Sequence, residues 1–375
     1  MSGNPDDWRT HAADLAHALA ERGIITDPIW RRVVATVPRH VFVSEFYSDD
    51  DPPDLITADN PRWLEHVYSD DTLATQRREH PDQPGFAWFT SSSTRPSLML
   101  RMLHLLDVED GMTVLEIGTG TGYNAALLSE RLGSEYVTTV DIDPELTAAA
   151  QVRLAEAGYT PTIATRDGLR GYPARAPYDR IIATVAHEQV PYPWIKQTRP
   201  GGVILADIRP RGMTWAGALA RLTVADDGTA HGPLITCTWG FMSTRREVDR
   251  PGIPEAVPID VSTTHTRTSG IGGEALNTPG LSLLIWQRLP GIAAFPGPDA
   301  TRVSTPDGSW ARVTKTTPAK VDYGGPADIW HEVEHAHTWW ADHGSPEIDA
   351  FGLTIDPNGQ HFWHHTPDSQ SRTAL

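Results

Sequence analysis

The sequence has a single cysteine, fewer basic than acidic residues, and no long apolar run. Because Cys237 has no cysteine partner, an intramolecular disulfide and a cysteine-based zinc site are both excluded. The chain carries 31 basic and 48 acidic side chains, which gives a net charge of −17. Broad surfaces for nucleic acid or anionic membranes need clustered Lys and Arg, so we expect neither partner.

No stretch approaches the roughly 18 apolar residues that a membrane-spanning helix requires. The first residues, MSGNPDDWRT, lack a basic start followed by an apolar segment, so we expect no signal peptide. What the chain does have is 375 residues, of which 39% are hydrophobic, enough for two cores. The expectation is a cytoplasmic protein with more than one folded region.

The order of the predicted elements indicates an α/β fold. Residues 8–37 have the apolar spacing of two helices, whereas 48–86 are rich in Asp, Pro and Arg and predict a loop-dominated segment with one short strand in YSDDTLAT. From residue 95 onward, strands and helices alternate, which is typical of a parallel sheet with helices on both faces. The predicted strands are 113–118, 136–141, 161–167, 179–185 and 202–208, and the predicted helices are 95–106, 123–132 and 144–157.

The second half of the chain is less regular. Two apolar runs around Asp227-Gly228 predict an antiparallel hairpin at the sheet edge, and 243–280 predict linker and loops. Beyond them we expect strands at LSLLIWQ and ARVTKT and a helix near 326–343. The predicted domains are a helical cap with substrate loops (1–90), the α/β domain (91–246) and a small α+β domain (247–375).

A glycine turn follows the first predicted strand of the α/β domain. In VLEIGTGTGYNAA, Gly118, Gly120 and Gly122 alternate with other residues, and glycine lets a ligand approach the backbone closely. A dinucleotide site would use G-x-G-x-x-G, but here Tyr123 occupies the place of its third glycine. The E-x-G-x-G-x-G spacing, which begins at Glu116, instead looks like the nucleotide turn of S-adenosylmethionine (AdoMet) methyltransferases.

Two acids at the ends of the next strands support a nucleoside cofactor. Asp141 ends the second strand, 19 residues after Gly122, where a carboxylate can accept both ribose hydroxyls. Asp167 follows the third strand, where an acid can accept the adenine amino group. The candidate cofactor-binding residues are Glu116, Gly118, Thr119, Gly120, Gly122, Asp141, Ile142, Asp167 and Gly168.

Over residues 12–246 the chain resembles the protein-L-isoaspartate O-methyltransferase family. The resemblance lies in ALAERGIITDPIWRRVVATVPRHVFV, VLEIGTGTGYNAALLSERLG, VDIDPEL, RDGLRGYPARAPYDRIIATVA, QTRPGG and FMSTR. It implies a Rossmann-like AdoMet methyltransferase sheet with an antiparallel edge hairpin, AdoMet as methyl donor, and a peptide carboxylate as acceptor. The helical cap and the small C-terminal α+β domain would be additions to that sheet.

The family has a Thr-x-Ser-x-Pro motif before the helix that leads to the first strand. The matching stretch is Ser92-Ser93-Thr94-Arg95-Pro96, which keeps hydroxyl groups but exchanges their positions. The resemblance implies that Ser93 and Thr94 orient the acceptor carboxylate, with Ser92 and Arg95 contacting the substrate. Helix capping by Ser92 to Thr94 is the alternative. His187, in the loop after the fourth strand, is a substrate contact or a pocket wall.

The tail WWADHGSPEIDAFGLTIDPNGQHFWHH resembles the C-terminal region of methyltransferases that accompany ATP-grasp ligases in making graspetides. That resemblance implies methylation of an Asp in a cyclised precursor peptide, whose ester then closes to an aspartimide. General repair of L-isoaspartyl proteins is the alternative activity. A non-catalytic peptide-binding subunit is a third, which the intact glycine turn disfavours.

The tail also carries a match to the zinc-protease motif H-E-x-x-H, at His331 to His335. The extended motif needs a histidine at position 341, which is Ala341, so we predict no metal and a solvated histidine-rich helix face. The same region is rich in tryptophan, which forms either the core of the small domain or a peptide-binding face. These residues are Trp330, Trp339, Trp340 and Trp363.

Overall fold

The computed structural model describes residues 7–210, 216–237, 240–246, 262 and 264–367. The helices are α1 Asp7–Glu21, α2 Pro28–Thr36, α3 Arg39–Phe42, α4 Trp63–Val67, α5 Pro96–Leu106, α6 Tyr123–Leu132, α7 Pro144–Glu156, α8 Tyr192–Gln197, α9 Pro279–Arg288 and α10 Ile329–Asp342. The strands of the first 165 residues are β1 Glu45–Tyr47, β2 Leu55–Thr57, β3 Leu73–His80, β4 Gln83–Ser93, β5 Val114–Ile117, β6 Val137–Asp141 and β7 Thr162–Thr165. Those that follow are β8 Tyr178–His187, β9 Thr198–Ile208, β10 Ala218–Val224, β11 Ala230–Thr236, β12 His265–Ser269, β13 Ala293–Pro296, β14 Ala300–Ser304, β15 Trp310–Thr314, β16 Ala319–Gly324, β17 Phe351–Asp356 and β18 Gly359–His364.

The chain divides into two compact units. The first comprises Met1–Thr184, Pro193–Leu205 and Arg245–Pro251, and the second comprises Val185–Tyr192, Ala206–Thr244 and Gly252–Leu375. The division does not follow the three predicted domains, because residues 206–244 belong with the C-terminal region. The three-domain scheme stays a prediction.

The first unit contains most of the predicted parallel sheet, whose strands have the order β9-β8-β5-β6-β7, while the last residues of β8 and β9 belong to the second unit. β5 is buried along its whole length, as expected of a strand covered on both faces. Its register sets Ile117 opposite Val140 on β6 and Ala183 on β8, so β5 and β6 end side by side while β8 continues to His187. The helices between them also match the prediction, since α6 ends at the Gly133 cap and α7 begins at Pro144 after the Asp143 cap. The α/β class is confirmed.

A second, antiparallel sheet of the first unit, with order β2-β1-β3-β4, corrects the prediction for 48–86. That segment contains β2, α4, β3 and the start of β4 rather than mainly loops. Its polar composition concealed the strands because much of β3 and β4 lies at the surface and lacks a continuous apolar run. The predicted helices in 8–37 are confirmed as α1 and α2, with Val33 and Val34 buried.

In the second unit, β10 and β11 form the predicted hairpin. β11 also pairs antiparallel with β17, which in turn pairs with β18, so the C-terminal tail extends the hairpin's sheet. A separate antiparallel sheet has the order β12-β16-β15-β14-β13. The strand predicted in ARVTKT and the helix predicted near 326–343 are confirmed as β15 and α10.

The LSLLIWQ prediction is wrong, because this run lies in helix α9. A short continuous apolar run fits a buried strand or a buried helix equally well, and here Pro279 opens a helix that is buried on nearly every side. The predicted linker is also partly structured, since it contains β12 and the start of α9. Its residues 247–261 and 263 lie outside the described part of the chain. In the part that the structure describes, no helix has the length and apolarity to cross a membrane.

Candidate active site

The glycine turn lies between β5 and α6 and has the left-handed backbone that favours glycine. The φ angles are 99° at Gly118, 51° at Gly120 and 90° at Gly122, and Gly122 is the N-cap of α6. The Gly118 N–H donates to the Val140 carbonyl at 2.8 Å, which holds the turn on the neighbouring strand. A Cβ at Gly120 would lie 3.6 Å from Ser91 Oγ and 3.8 Å from the Ser92 carbonyl. The turn therefore meets the end of β4.

Asp141 holds the same turn from the end of β6. One carboxylate oxygen accepts a hydrogen bond from Gly120 N–H at 3.0 Å, and the other accepts from Asp143 N–H at 3.1 Å. The side chain is half-buried, and burial raises the pKa of this carboxyl. Ile142, the next residue, is also half-buried. The carboxylate thus lies at the strand end predicted to receive the ribose.

Asp167 and Gly168 follow β7, although the strand ends two residues earlier than predicted, at Thr165. The Asp167 carboxylate accepts a hydrogen bond from Leu169 N–H at 3.0 Å and opens a short 3₁₀ turn. A Cβ at Gly168 would lie 2.6 Å from Cγ2 of Ile117. Only glycine permits this approach, which brings the loop after β7 against the end of β5.

Glu116 and Thr119 face inward. Glu116 is fully buried and accepts hydrogen bonds from Asn124 Nδ2 and Thr139 Oγ1, both at 2.7 Å. The Thr119 hydroxyl lies 2.7 Å from the Thr139 hydroxyl, so the network supports the turn from beneath. Burial raises the pKa of Glu116 to about 7. Sequence reasoning missed Asn124, whose signal was a polar side chain in the otherwise apolar first turn of α6.

The hydroxyl segment does not cap the helix that follows it. Ser92 and Ser93 end β4, and α5 has Arg95 as its N-cap residue, with no side-chain capping bond. The N–H of Ser97 is instead bound by the Asp70 carboxylate, at 2.8 Å. Arg95 lies 3.6 Å from an Asp71 carboxylate oxygen. The capping alternative for Ser92 to Thr94 is therefore excluded.

Arg39, which sequence reasoning missed, holds this segment. Its fully buried guanidinium donates to the Ser69 carbonyl at 2.8 Å, to Ser93 Oγ at 3.4 Å and to the Thr94 carbonyl at 3.3 Å. It also lies over the Tyr123 ring, 5.6 Å from its centroid. The available signal was a single arginine in the apolar run VPRHVFV. Ser93 is buried and Thr94 half-buried, and this one side chain contacts both of them.

His187 belongs to the second unit, at the end of β8. Its ring is buried, with Nδ1 3.0 Å from the Thr244 hydroxyl, and burial lowers its pKa to about 4. The imidazole is therefore neutral near pH 7, and its predicted substrate contact stays a prediction. Asp179, at the start of the same strand, accepts hydrogen bonds from the N–H and the hydroxyl of Thr113.

The H-E-x-x-H motif lies on α10, where the His331 and His335 rings share one exposed face with centroids 4.3 Å apart. No group of three or more potential metal ligands occurs among the described residues. Each histidine instead faces a carboxylate, Glu334 or Glu332, on the same helix. Of the four tryptophans, Trp330 and Trp363 are in the core and the other two are half-buried.

The residues of the first unit fit AdoMet. A carboxylate offers about four acceptor sites, and the two bonds described for Asp141 leave room for ribose hydroxyls. Beside it, the turn presents backbone without side chains at three positions. The atoms nearest to a Cβ at Gly120 would belong to Ser91 and Ser92.

Comparison with known proteins agrees with this geometry. Residues 62–228 match the family model for protein-L-isoaspartate(D-aspartate) O-methyltransferase. The chain is 34% identical over 218 residues to the protein-L-isoaspartate O-methyltransferase of Staphylothermus marinus, covering 56% of this chain and 84% of that protein. It is 32% identical over 230 residues to that of Methanothermobacter thermautotrophicus, covering 59% and 93%.

A solved protein-L-isoaspartate O-methyltransferase structure aligns with 94% of this chain and 99% of its own, with a TM-score of 0.55 and 21% identity. At this identity the likeness is one of fold, and it extends beyond the residues that the family model matches. Together with the two relatives, it leads to one conclusion. The chain belongs to the protein-L-isoaspartate O-methyltransferase family and is an AdoMet-dependent carboxyl methyltransferase.

Proposed function

We propose that the enzyme methylates the side-chain carboxylate of an aspartyl residue in a ribosomally made, ATP-grasp-cyclised peptide, and that the ester then closes to an aspartimide. One observation carries the acceptor site. The hydroxyl segment at the end of β4 lies against Gly120 of the cofactor turn, with Ser91 Oγ 3.6 Å from the position of a Cβ there. An acceptor held by Ser93 and Thr94 would thus lie beside the cofactor.

Methyl transfer to a carboxylate requires little from the protein beyond positioning the acceptor and the cofactor. When bound, AdoMet supplies a methyl group on a positively charged sulfur. An aspartyl carboxylate is already ionised near neutral pH, so no general base is needed. The Ser93 and Thr94 hydroxyls orient the carboxylate, and Arg39 holds both residues in place. Asp141 holds the glycine turn and binds the ribose.

The aspartimide step follows from the ester and needs no further reagent. The backbone amide nitrogen after the methylated residue forms a bond to the ester carbonyl carbon. The bond to the methoxy oxygen breaks, and the amide proton leaves with methoxide as methanol. A constrained cyclic peptide holds the amide close to the ester and so favours closure. Support for this substrate comes from the tail sequence that includes β17 and β18. Because ATP-grasp ligation and AdoMet supply are cytoplasmic, we assign the reaction to the cytoplasm.

Methylation of L-isoaspartyl residues in damaged proteins is the second candidate. The names of both relatives favour it, as does the fold likeness over 94% of the chain to a structure of that name. The departure of Ser92-Ser93-Thr94-Arg95-Pro96 from Thr-x-Ser-x-Pro counts against it, because these residues would contact the acceptor. The two candidates share the cofactor site and differ only in the peptide.

Three peptides of one sequence separate the candidates when incubated with radiolabelled AdoMet. They are a macrocyclic aspartyl peptide, its linear form, and a linear form with isoaspartate at the same position. We expect label in the cyclic peptide, followed by release of labelled methanol and net loss of one water. Turnover confined to the isoaspartyl peptide would establish repair instead. Thr94→Ala should lower turnover more than AdoMet affinity, and Ser44→Ala, at an exposed hydroxyl, is the matched control.

A further inference from the structure

The outer part of β4 is an edge strand without a charged residue, and three register shifts interrupt its pairing with β3. Among the described strands of its sheet, β4 lies last in the order and pairs only with β3. From Phe86 to Ser93 it reads FAWFTSSS, which contains neither charge nor proline. Natural edge strands are normally blocked by charged residues, proline or bulges, because their free N–H and C=O groups can pair with another chain. The charges of this hairpin lie on β3, at Arg77, Arg78 and Glu79.

Aromatic side chains also lie at the surface along this edge. Phe86 is 42% exposed and Phe89 is 37% exposed, among the few large apolar residues of the described chain that are. Phe86 and Trp88 share one face of the strand and stack with centroids 6.4 Å apart, and His80 lies against both. On the other face, Phe89 lies 5.6 Å from Tyr47. The Phe86–Trp88 pair therefore gives an extended peptide along this edge an apolar surface to pack against.

The same strand leads directly into the acceptor site. Its last residues, Ser91 to Ser93, include those that lie against Gly120 and those that Arg39 holds. A peptide whose carboxylate reaches Ser93 therefore has a free strand edge beside it. An extended peptide binds such an edge through backbone hydrogen bonds, while pockets for alternate side chains provide selectivity.

We propose that the peptide substrate binds as an added β-strand along the free edge of β4, with its reacting residue at Ser92 to Thr94 and its flank against the aromatic face of Phe86 and Trp88. This inference depends on the proposed function only for the position of the reacting residue, and the binding of the flank is independent of it. At roughly 3.3 Å per residue, the six steps from Phe86 to Ser92 span about 20 Å. The flank must therefore supply about six extended residues on one side of the reacting residue.

Direct binding tests this inference without relying on turnover. The probe is the macrocyclic aspartyl peptide extended by a fluorescein-labelled linear flank of about six residues, and its anisotropy is measured with S-adenosylhomocysteine present. We expect Phe86→Ala and Trp88→Ala each to weaken binding about 5- to 10-fold, and removal of the flank to abolish the difference between variant and wild type. Phe295→Ala is the matched control, because Phe295 is 41% exposed on β13, the edge strand of another sheet.

Methylating successive backbone nitrogens of the probe tests strand addition itself and needs no protein variant. A peptide that pairs with β4 loses affinity at every second residue of the flank, because alternate N–H groups face the strand. Uniform losses, no losses, or no binding of the probe by the wild type would each overturn the inference. Methyl transfer to the short cyclic peptide would then still support the proposed function.

Discussion

The carboxylate of Asp141 accepts a hydrogen bond from the backbone N–H of Gly120 at 3.0 Å, so one side chain ties the end of β6 to the centre of the glycine turn. The two residues are 21 positions apart in sequence. The pairing leaves the second carboxylate oxygen bound to Asp143 N–H at the start of α7. The turn after β5, the end of β6 and the start of α7 therefore lie together at the position predicted for the ribose.

Asp141→Ala should weaken AdoMet binding about 10- to 100-fold, because two hydrogen bonds from ribose hydroxyls to a charged acceptor are lost. Isothermal titration calorimetry measures the affinity, and circular dichroism checks that the variant is folded. Asp226→Ala, at an exposed acid in the hairpin turn, is the control and should bind as the wild type does. Equal affinity in the two variants would remove Asp141 from the cofactor site.

Arg39→Lys should lower kcat/KM for the peptide about 10-fold and leave AdoMet affinity within about twofold of wild type. Lysine keeps the charge but cannot bond the Ser69 carbonyl and the Ser93–Thr94 segment together. The free energy of unfolding should fall by about 2 kcal/mol, since buried bonds to a charged group are lost.

The matched control is Arg22→Lys, whose exposed guanidinium binds Asp70 at 2.8 Å. If Arg39 were only structural, stability would fall and the kinetic constants of the folded fraction would not change. Loss of AdoMet affinity in parallel with turnover would also contradict the positioning role.

Glu116→Gln should stabilise the protein at alkaline pH. Burial raises the pKa of Glu116 from 4.5 to about 7, so the folded state favours the protonated acid. The resulting stabilisation is fully present below about pH 4.5 and is lost as the pH rises through 7. The amide of the variant can still bond Asn124 and Thr139. From pH 4.5 to pH 8, the free energy of unfolding of the variant minus that of the wild type should rise by on the order of 3 kcal/mol.

Urea unfolding at the two pH values measures this change, with Glu156→Gln, at an exposed acid on α7, as the control. The control should show no pH-dependent gain. A Glu116→Gln gain that is the same at both pH values would mean that the wild-type carboxyl does not titrate in this range.

Alanine at Gly120 and at Gly122 should have different effects, although both glycines have positive φ. A Cβ at Gly122 would lie 3.2 Å from the Ala150 Cβ of α7, so Gly122→Ala should lower the free energy of unfolding by about 2 kcal/mol. At Gly120 the nearest atom is 3.6 Å away, so stability should fall by only about 1 kcal/mol while AdoMet binding is lost. Calorimetry and urea unfolding of both variants distinguish these outcomes, and equal binding by both would contradict them.

Several features of the site could be predicted because their causes are local. Three glycines in alternation after an apolar strand predict a left-handed turn, and an acid at the next strand end predicts a carboxylate beside it. The helix ends at Gly133 and Asp143 follow from capping preferences within a few residues. The prediction of a strand at LSLLIWQ was wrong because a short apolar run is compatible with either a buried strand or a buried helix, and local sequence does not decide between them.

By itself, the sequence determined the alternation of strands and helices, the glycine turn and the acids that follow it. These features depend on backbone preferences and apolar spacing within a few residues. Only the tertiary structure decided that Arg39 holds Ser93, 54 residues away, and that Glu116 faces the buried Asn124 rather than the turn's open side. It also made the end of β4 a neighbour of Gly120. Such pairs are set by the packing of whole sheets and helices. Each buried polar side chain needs a hydrogen-bond partner, and that partner can be far away in sequence, where a local pattern does not predict it.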